Sequence, residues 1–298
     1  MTDRTSAASL ADTRRDLRAD CARCQGLCCV APVFAASADF AIDKPAGRPC
    51  PNLRVDSSCN IHASLREYGF PGCTVFDCFG AGQQVVQVSF AGSDWRQAPE
   101  TARSMFAVFG VMRQLQELLW YLAEAQNVLP SGPLREQVEQ AQEQTSALVK
   151  APASDLEEFD AAAHRRQVGP LLTKVSETLR ADVPSRGPDR IGADLIGAKL
   201  MGADLRGVSL RGAYLLGADL RGADLSRTDL LGADLRGTDL CAARLVDSLF
   251  LTQPQLDSAR GDTATTLPAW ATRPGHWSGS AAPQKPGRPP KGRRRCEP

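Results

Sequence analysis

Residues 217–240 read GADLRGADLSRTDLLGADLRGTDL, and the same five-residue period runs from residue 193 to residue 247. Leucine holds all eleven central positions, from Leu195 to Leu245. Two residues before the centre stands Ala in eight repeats, with Val208, Thr228 and Thr238 as the exceptions. The residue just before the centre is Asp in seven repeats, and Gly stands two after it in eight. A helix cannot use this pattern. Five residues advance about 500°, so each Leu would step about 140° around the axis and no apolar face would form. Eight glycines at about 1 kcal/mol each argue the same way. A single long strand fails too, because an odd period sends successive leucines to opposite faces. A coil that turns a corner once per repeat buries every Leu, fits a small Ala beside it, places Asp and Arg in water and puts Gly at the corner.

The motif A-(D/N)-L-x-x resembles the pentapeptide-repeat family. That resemblance implies a right-handed, quadrilateral parallel β-helix with four repeats per coil, here about three coils with a decayed twelfth repeat at SLFLT. Stacked at the strand spacing, such a rod is about 14 Å long. Thr252 and Gln255 form a capping-box pattern ahead of a helix that Gly261 would stop. This helix would cover one open end of the rod, and the segment at 170–183 could cover the other.

Eight of the ten cysteines lie in residues 21–78, beginning with CARCQGLCCV. Their spacing is C-x2-C-x3-C-C-x20-C-x8-C-x13-C-x4-C. Cys21, Cys24, Cys28, Cys29, Cys50, Cys59, Cys73 and Cys78 admit three readings: thiolate ligands of a soft metal, disulfides, or a redox pair at Cys21-x-x-Cys24. Four thiolates close one tetrahedral shell, so eight could close two shells, or one with spare thiols. A chain without an apolar leader is expected in the cytoplasm, where thiols stay reduced, and this favours metal. The order of these cysteines with CPNL, CNIH and GCTVFDC resembles a bacterial Cys-rich family of zinc- or iron-chelating modules. The resemblance marks the same eight cysteines as ligands, with zinc the first expectation and iron or an iron–sulfur cluster the second. His62, three after Cys59, has ligand spacing but is expected to be a structural or surface residue. Asp77 is expected to be an exposed acid, and His164, His276, Cys241 and Cys296 carry no motif.

Between these regions the chain reads as helix. Pro99 suits a first helical turn. Met105, Val108, Phe109, Met112, Leu115, Leu119 and Leu122 then share one face as core. The pattern stops at Asn127 and Pro130 and restarts at Pro133. A capping box is expected at Ser154 with Glu157, and a last short helix after Gly169-Pro170. Short connections imply antiparallel hairpins.

The expected organisation is multidomain α+β. An N-terminal arm (1–20) leads into a Cys-rich metal-binding module (21–92) and a helical region (93–184). The pentapeptide-repeat β-helix (191–251), a C-terminal cap (252–277) and a disordered basic tail (278–298) follow. Formal net charge is +1, which excludes a uniform polyanion or polycation. The tail sets six Lys and Arg residues against Glu297 and could bind a polyanion loosely. No apolar run reaches membrane length. No nucleophile–base pair or phosphate loop emerges, so a non-enzymatic scaffold that binds a protein partner through the repeat faces is expected, with homodimerisation possible. Two other readings stay open. Some pentapeptide-repeat proteins mimic DNA and shield DNA gyrase, but eight Asp against seven Lys and Arg on these faces make a poor polyanion. A thiol or iron–sulfur redox enzyme would need a reactive Cys or an open metal position.

Overall fold

The computed structural model describes Arg14 and residues 16–277; the basic tail and Cys296 lie outside the described residues, as does most of the N-terminal arm. The Cys-rich module is built from short turns: α1 (Leu27–Val30), α2 (Pro71–Thr74) and α3 (Ala81–Gln84), the last running into a π-helical turn at Val85–Ser89. Two antiparallel bridges, Phe34 with Lys44 and Leu53 with Cys59, pin its loops.

The long helix α4 (Pro99–Val128) begins at the expected Pro. All seven residues of its expected apolar stripe are buried. In its second half Trp120, Tyr121, Ala123, Glu124 and Ala125 are buried as well, so the helix is enclosed on every side. Three elements surround it: α5 (Pro133–Leu148), α6 (Ala153–Glu157) and α7 (Ala161–Arg180).

Two local expectations fail here. The Ser154–Glu157 capping box does not form. Ser154 Oγ instead donates to Asp155, and the Glu157 carboxylate accepts from Ser104 on α4. The cap is supplied one element later, where Asp160 Oδ1 accepts from the Ala163 amide at 2.9 Å. Nor does Pro170 start a helix. It sits inside α7, because Ala161, His164 and Val168 before it and Leu172 and Val175 after it are all buried along one continuous stripe. That burial outweighs the backbone hydrogen bond a mid-helix Pro removes.

From Arg190 onward the chain coils. Parallel bridges join residues twenty apart, from Asp194 with Tyr214 to Asp229 with Leu249, so four repeats make one turn. Each side contributes one bridged residue and no extended strand forms among the described residues. A corner every five residues leaves no room for a longer ladder. At the corners the eight repeat glycines hold φ of 63° to 67°. Arg227, Ala242 and Asp247 adopt the same left-handed conformation, each at a cost of about 1–2 kcal/mol. Inside, the central leucines from Leu205 to Leu245 are at most 2% exposed and stack with the alanines.

The residues that break the Ala pattern remain inward-facing. Thr228 and Thr238 are fully buried, and each hydroxyl donates at 2.7 Å to a carbonyl of the preceding coil, on Leu205 and Leu215. The Asp residues do more than face water. Asp194, Asp204, Asp219, Asp224, Asp229, Asp234 and Asp239 each accept the amide of the residue two ahead, closing the corner. Three of them also pair with the Arg at that position: Asp204 with Arg206, Asp219 with Arg221, and Asp234 with Arg236.

The C-terminal end of the coil is closed as expected. Helix α8 (Gln253–Ser258) starts with the Thr252–Gln255 capping box. It ends at Ser258, ahead of Gly261, because the chain then rejoins the ladder: Arg260 pairs with Asp239 and Thr266 with Arg244. Leu256 and Trp277 complete the apolar column. Among the described residues nothing closes the first coil. The end of α7 packs on the side of the coil instead, where buried Arg180 donates to Gly207 O and Asp189, and Ile191, Ile196 and Met201 are exposed.

Candidate functional site

All nine cysteines among the described residues are free thiols. The eight of the module fall around α1, whose neighbouring residues Cys28 and Cys29 bring their sulfurs to 3.8 Å. On one side, Cys78 belongs to the main apolar core with Leu27, Phe79 and Ala81, and Cys28 packs against that core. Cys24 lies on Gly82, where an added Cβ would come within 2.6 Å of the Cys24 Cβ. On the other side, Cys50 joins Phe34, Ile61, Leu65 and Phe70 in a separate cluster, against which Cys29, Cys59 and Cys73 pack. The backbone supports this second group: the Cys50 amide donates to Cys29 O at 2.9 Å, and the Cys73 amide to Phe70 O at 3.1 Å. As the side chains stand, no three His, Cys, Asp or Glu residues among the described ones converge closely enough to hold an ion.

The thiols have distinct acidities. The exposed Cys21 is pulled down to about 6, chiefly by a hydrogen bond from Cys24. The same contact, with burial adding to it, pushes Cys24 up. The contact between the two neighbouring thiols raises Cys28, with burial adding to it, and lowers Cys29. Burial raises Cys59 and Cys78, and lifts Cys73 to about 12. Their electrostatic neighbours sort in the same way as the packing. Cys24 and Cys28 feel Cys78, while Cys59 and Cys73 feel Cys29 and Cys50. Cys21 acts across the line on Cys29.

Lys44 is a residue that sequence reasoning missed. It is 3% exposed, and its ammonium donates to the carbonyls of Val30, Pro32, Pro45 and Arg48. Its charge reaches Cys29 and Cys50. Nothing in the local sequence signals it, since it is held by the bridge to Phe34 on a loop rather than by a motif. His62 is exposed, close enough to Cys21 for its charge to act there. Asp77 departs from the expected exposed acid: it is half-buried, accepts the Phe79 amide at 2.7 Å, and is raised by burial. With Arg113, Glu117, Tyr121 and Arg236 it lines a cleft of about 240 Å³ between module, helix and coil. His164 is buried with its Nε2 2.9 Å from Thr145 Oγ1, and His276 Nε2 lies 2.9 Å from Ala259 O. Cys241 stands apart on the coil, its thiol lifted to about 12 by burial and Asp239.

Module, helices and coil are joined by polar contacts. Arg236 of the coil pairs with Asp39 of the module at 3.0 Å, and Arg66 donates to the carbonyl of Asp257 on α8. Glu124 of α4 accepts the Phe250 amide at 2.6 Å and the buried Arg14 guanidinium at 2.7 Å. Arg14 also stacks on Trp120, with 3.9 Å from its central carbon to the ring centroid. No helix among the described residues is long and apolar enough to cross a membrane.

Residues 191–227, 203–240 and 218–248 match the family described as pentapeptide repeats (8 copies), wholly outside the Cys-rich module. A pentapeptide repeat protein from the thylakoid lumen of Arabidopsis thaliana is 32% identical over 32% of this chain and 62% of its own, with a TM-score of 0.16. The uncharacterized protein YybG of Bacillus subtilis (strain 168) is 52% identical over 270 residues, spanning 88% of this chain and 95% of the relative. The chain therefore belongs to the family of YybG and is a pentapeptide-repeat protein.

Proposed function

We propose that the protein is a non-enzymatic, cytoplasmic interaction scaffold: a thiolate-bound zinc or iron fixes the Cys-rich module, and a short right-handed β-helix presents its free sides to a protein partner. The observation that carries the metal half is the donor set. Eight free thiols crowd one loop-rich module with little regular structure, and burial holds several of them neutral. Soft thiolates suit zinc and iron, and a module of this kind borrows folding energy from the ion. Cys21, Cys24, Cys28, Cys29, Cys50, Cys59, Cys73 and Cys78 would hold the metal once their sulfurs turn toward one another and release their protons. Bound there, the metal supplies cross-linking of loops rather than chemistry. The buried ammonium of Lys44 offsets part of the negative charge that tetrathiolate binding creates.

The scaffold half is supported by the outward residues of the coil. At the corners, Ile191, Ile196, Met201 and Leu216 stand exposed at the position that Arg206, Arg221 and Arg236 hold in other repeats, and Tyr214 is also exposed. This patch suits a partner protein better than it suits DNA mimicry, because the nearby carboxylates are already used at corners and in pairs with Arg.

Metal analysis and a visible spectrum of protein purified without chelators test the reading. Bound zinc without colour supports a structural site, and a brown sample supports iron. Metal-free protein overturns it. A second reading, thiol redox exchange, is favoured by one observation: exposed, acidic Cys21 beside buried Cys24. It requires Cys21 to react with iodoacetamide at pH 6.5 well ahead of the other thiols in the protein as purified. Uniform protection of all eight removes it.

A further inference from the structure

We propose that the eight thiols make two separate four-thiolate metal sites, with Cys21, Cys24, Cys28 and Cys78 holding one ion and Cys29, Cys50, Cys59 and Cys73 holding the other. This rests on the metal-binding reading above and adds the number of ions and the ligands of each.

The dividing line runs between two neighbours in sequence. Successive residues of a helix leave its axis about 100° apart, so Cys28 and Cys29 of α1 need not face the same way. Here they pack against different apolar clusters. Cys28 packs against the main core, of which Cys78 is a member. The Cys78 carbonyl accepts the Ala81 amide at 2.8 Å at the start of α3, and Gly82 of that helix is what Cys24 lies on. The Cys24 amide turns back to Cys21 O at 3.5 Å, which brings Cys21 to the same place. Cys29 goes with the second cluster, and all three of its partners are there. Cys50 is tied to the Cys29 backbone, Cys59 is bridged to Leu53 three residues beyond Cys50, and Cys73 hangs from Phe70 at the cluster's centre. Lys44 sits on this second side, its ammonium bound by carbonyls on either flank of the loop that delivers Cys50.

One competing arrangement is specific. Sulfurs bound at about 2.3 Å around one tetrahedral ion lie about 3.8 Å from each other, and Cys28 and Cys29 are already 3.8 Å apart. Both could therefore sit on one ion. That would draw either Cys28 away from Cys78 and Cys24 or Cys29 away from Cys50, Cys59 and Cys73, and leave the abandoned trio short of a fourth thiol. The partition keeps Cys28 and Cys78 with the main core, and Cys29, Cys50, Cys59 and Cys73 with the second cluster. It also sets the two ions within about 8.4 Å of each other, the sulfur separation plus a bond length at each end.

The test is metal content per chain, by elemental analysis and native mass spectrometry of the full-length protein. Two ions are expected in the wild type. Cys50→Ser and Cys78→Ser should each retain one. The pair Cys50→Ser with Cys73→Ser should still retain one, and the pair Cys50→Ser with Cys78→Ser none. A second arm needs no variant. Wild-type protein stripped to half its metal by a chelator is alkylated and its labelled cysteines mapped. The labels should fall on one complete group of four in each molecule. One ion per chain with Cys28 and Cys29 protected together overturns the partition while the metal reading stands, as does loss of both ions from the Cys50/Cys73 pair. A chain with no metal and eight reactive or disulfide-linked thiols overturns the metal reading itself.

Discussion

Leu200, Leu220 and Leu240 occupy the same position in successive turns of the coil, so truncating each to Ala asks how much of a leucine's contribution comes from the turns above and below it. Leu220 is fully buried, its turn bonded on both sides: Asp219 N–H reaches back to Ala198 O, and Leu220 N–H reaches forward to Asp239 O. Leu240 is equally buried, because Arg260 continues the ladder above it. Among the described residues Leu200 has a turn on one side only, and it is half-buried. Leu220→Ala should cost about 3–4 kcal/mol, the transfer of the lost methyl groups plus a cavity that rigid turns cannot close. Leu240→Ala should cost about the same. Leu200→Ala should cost about 1–2 kcal/mol, since much of its surface is already in water and no closed cavity forms. The assay is urea unfolding of the full-length protein, followed by far-ultraviolet circular dichroism. With a slope of order 2 kcal/mol per molar urea, the first two variants should lose about 1.5–2 M in midpoint and the third under 1 M. Equal losses at positions 200 and 220 would refute the reasoning, because an open first turn cannot make Leu200 as costly as Leu220. A small loss at 240 would show that the cap does not cover the far end.

The same unfolding assay reads two further predictions. Glu124→Gln should cost about 3–5 kcal/mol by leaving the Arg14 cation buried without its carboxylate, and adding Arg14→Met should recover most of that loss while the Gln oxygen still accepts from Phe250. Gly207 and Gly222 share φ of +65°, but an added Cβ meets Val183 at 2.9 Å at Gly207 and nothing within 4 Å at Gly222. Gly222→Ala should therefore cost about 1 kcal/mol from backbone strain alone, and Gly207→Ala about 1–3 kcal/mol more, through displacement of Val183 and the end of α7.

How much of this was legible depends on whether a local pattern leaves one solution. A five-residue period admits no helix and no strand, so the coil and its inward leucines follow from spacing alone. Pro99 and the apolar stripe from Met105 to Leu122 were equally plain, because the helix's own periodicity matches what it packs against. Pro170 misled because a rule about one residue yields to burial on both flanks of it. The Ser154–Glu157 pattern misled because Glu157 had a partner on α4, which no local window contains. The thiols could be named as a set, yet spacing could not say which of them meet, since that depends on which apolar cluster each loop reaches. Lys44 and Arg14 were invisible for the same reason. Each is a surface residue by composition, buried only by contacts distant in sequence: Arg14 meets Glu124 110 residues on.

Departures from the repeat carry information that its regular members do not. Three of them fall on one side of the coil, at Val208-Ser209, at Thr228-Asp229 and at Ser248-Leu249, each twenty residues from the next. That side is the one the helices cover. Ser209, Asp229 and Leu249 hold the position that faces water elsewhere, and here they are at most 6% exposed. Asp229 pairs with Arg211, which also donates to the Leu172 carbonyl of α7. The twelfth repeat completes the pattern. Its centre should be Phe250, but the backbone there turns to φ of 57° and Phe250 joins the helical core, edge-on to Tyr121 at 5.9 Å. Leu251 takes the inward place in the coil instead. What reads as decay in the sequence is a one-residue slip that lets one segment fill two cores. The helices and the coil thereby share one packed side, occupied by the chain itself, while Tyr214, Arg221 and Arg244 stand exposed on the other sides.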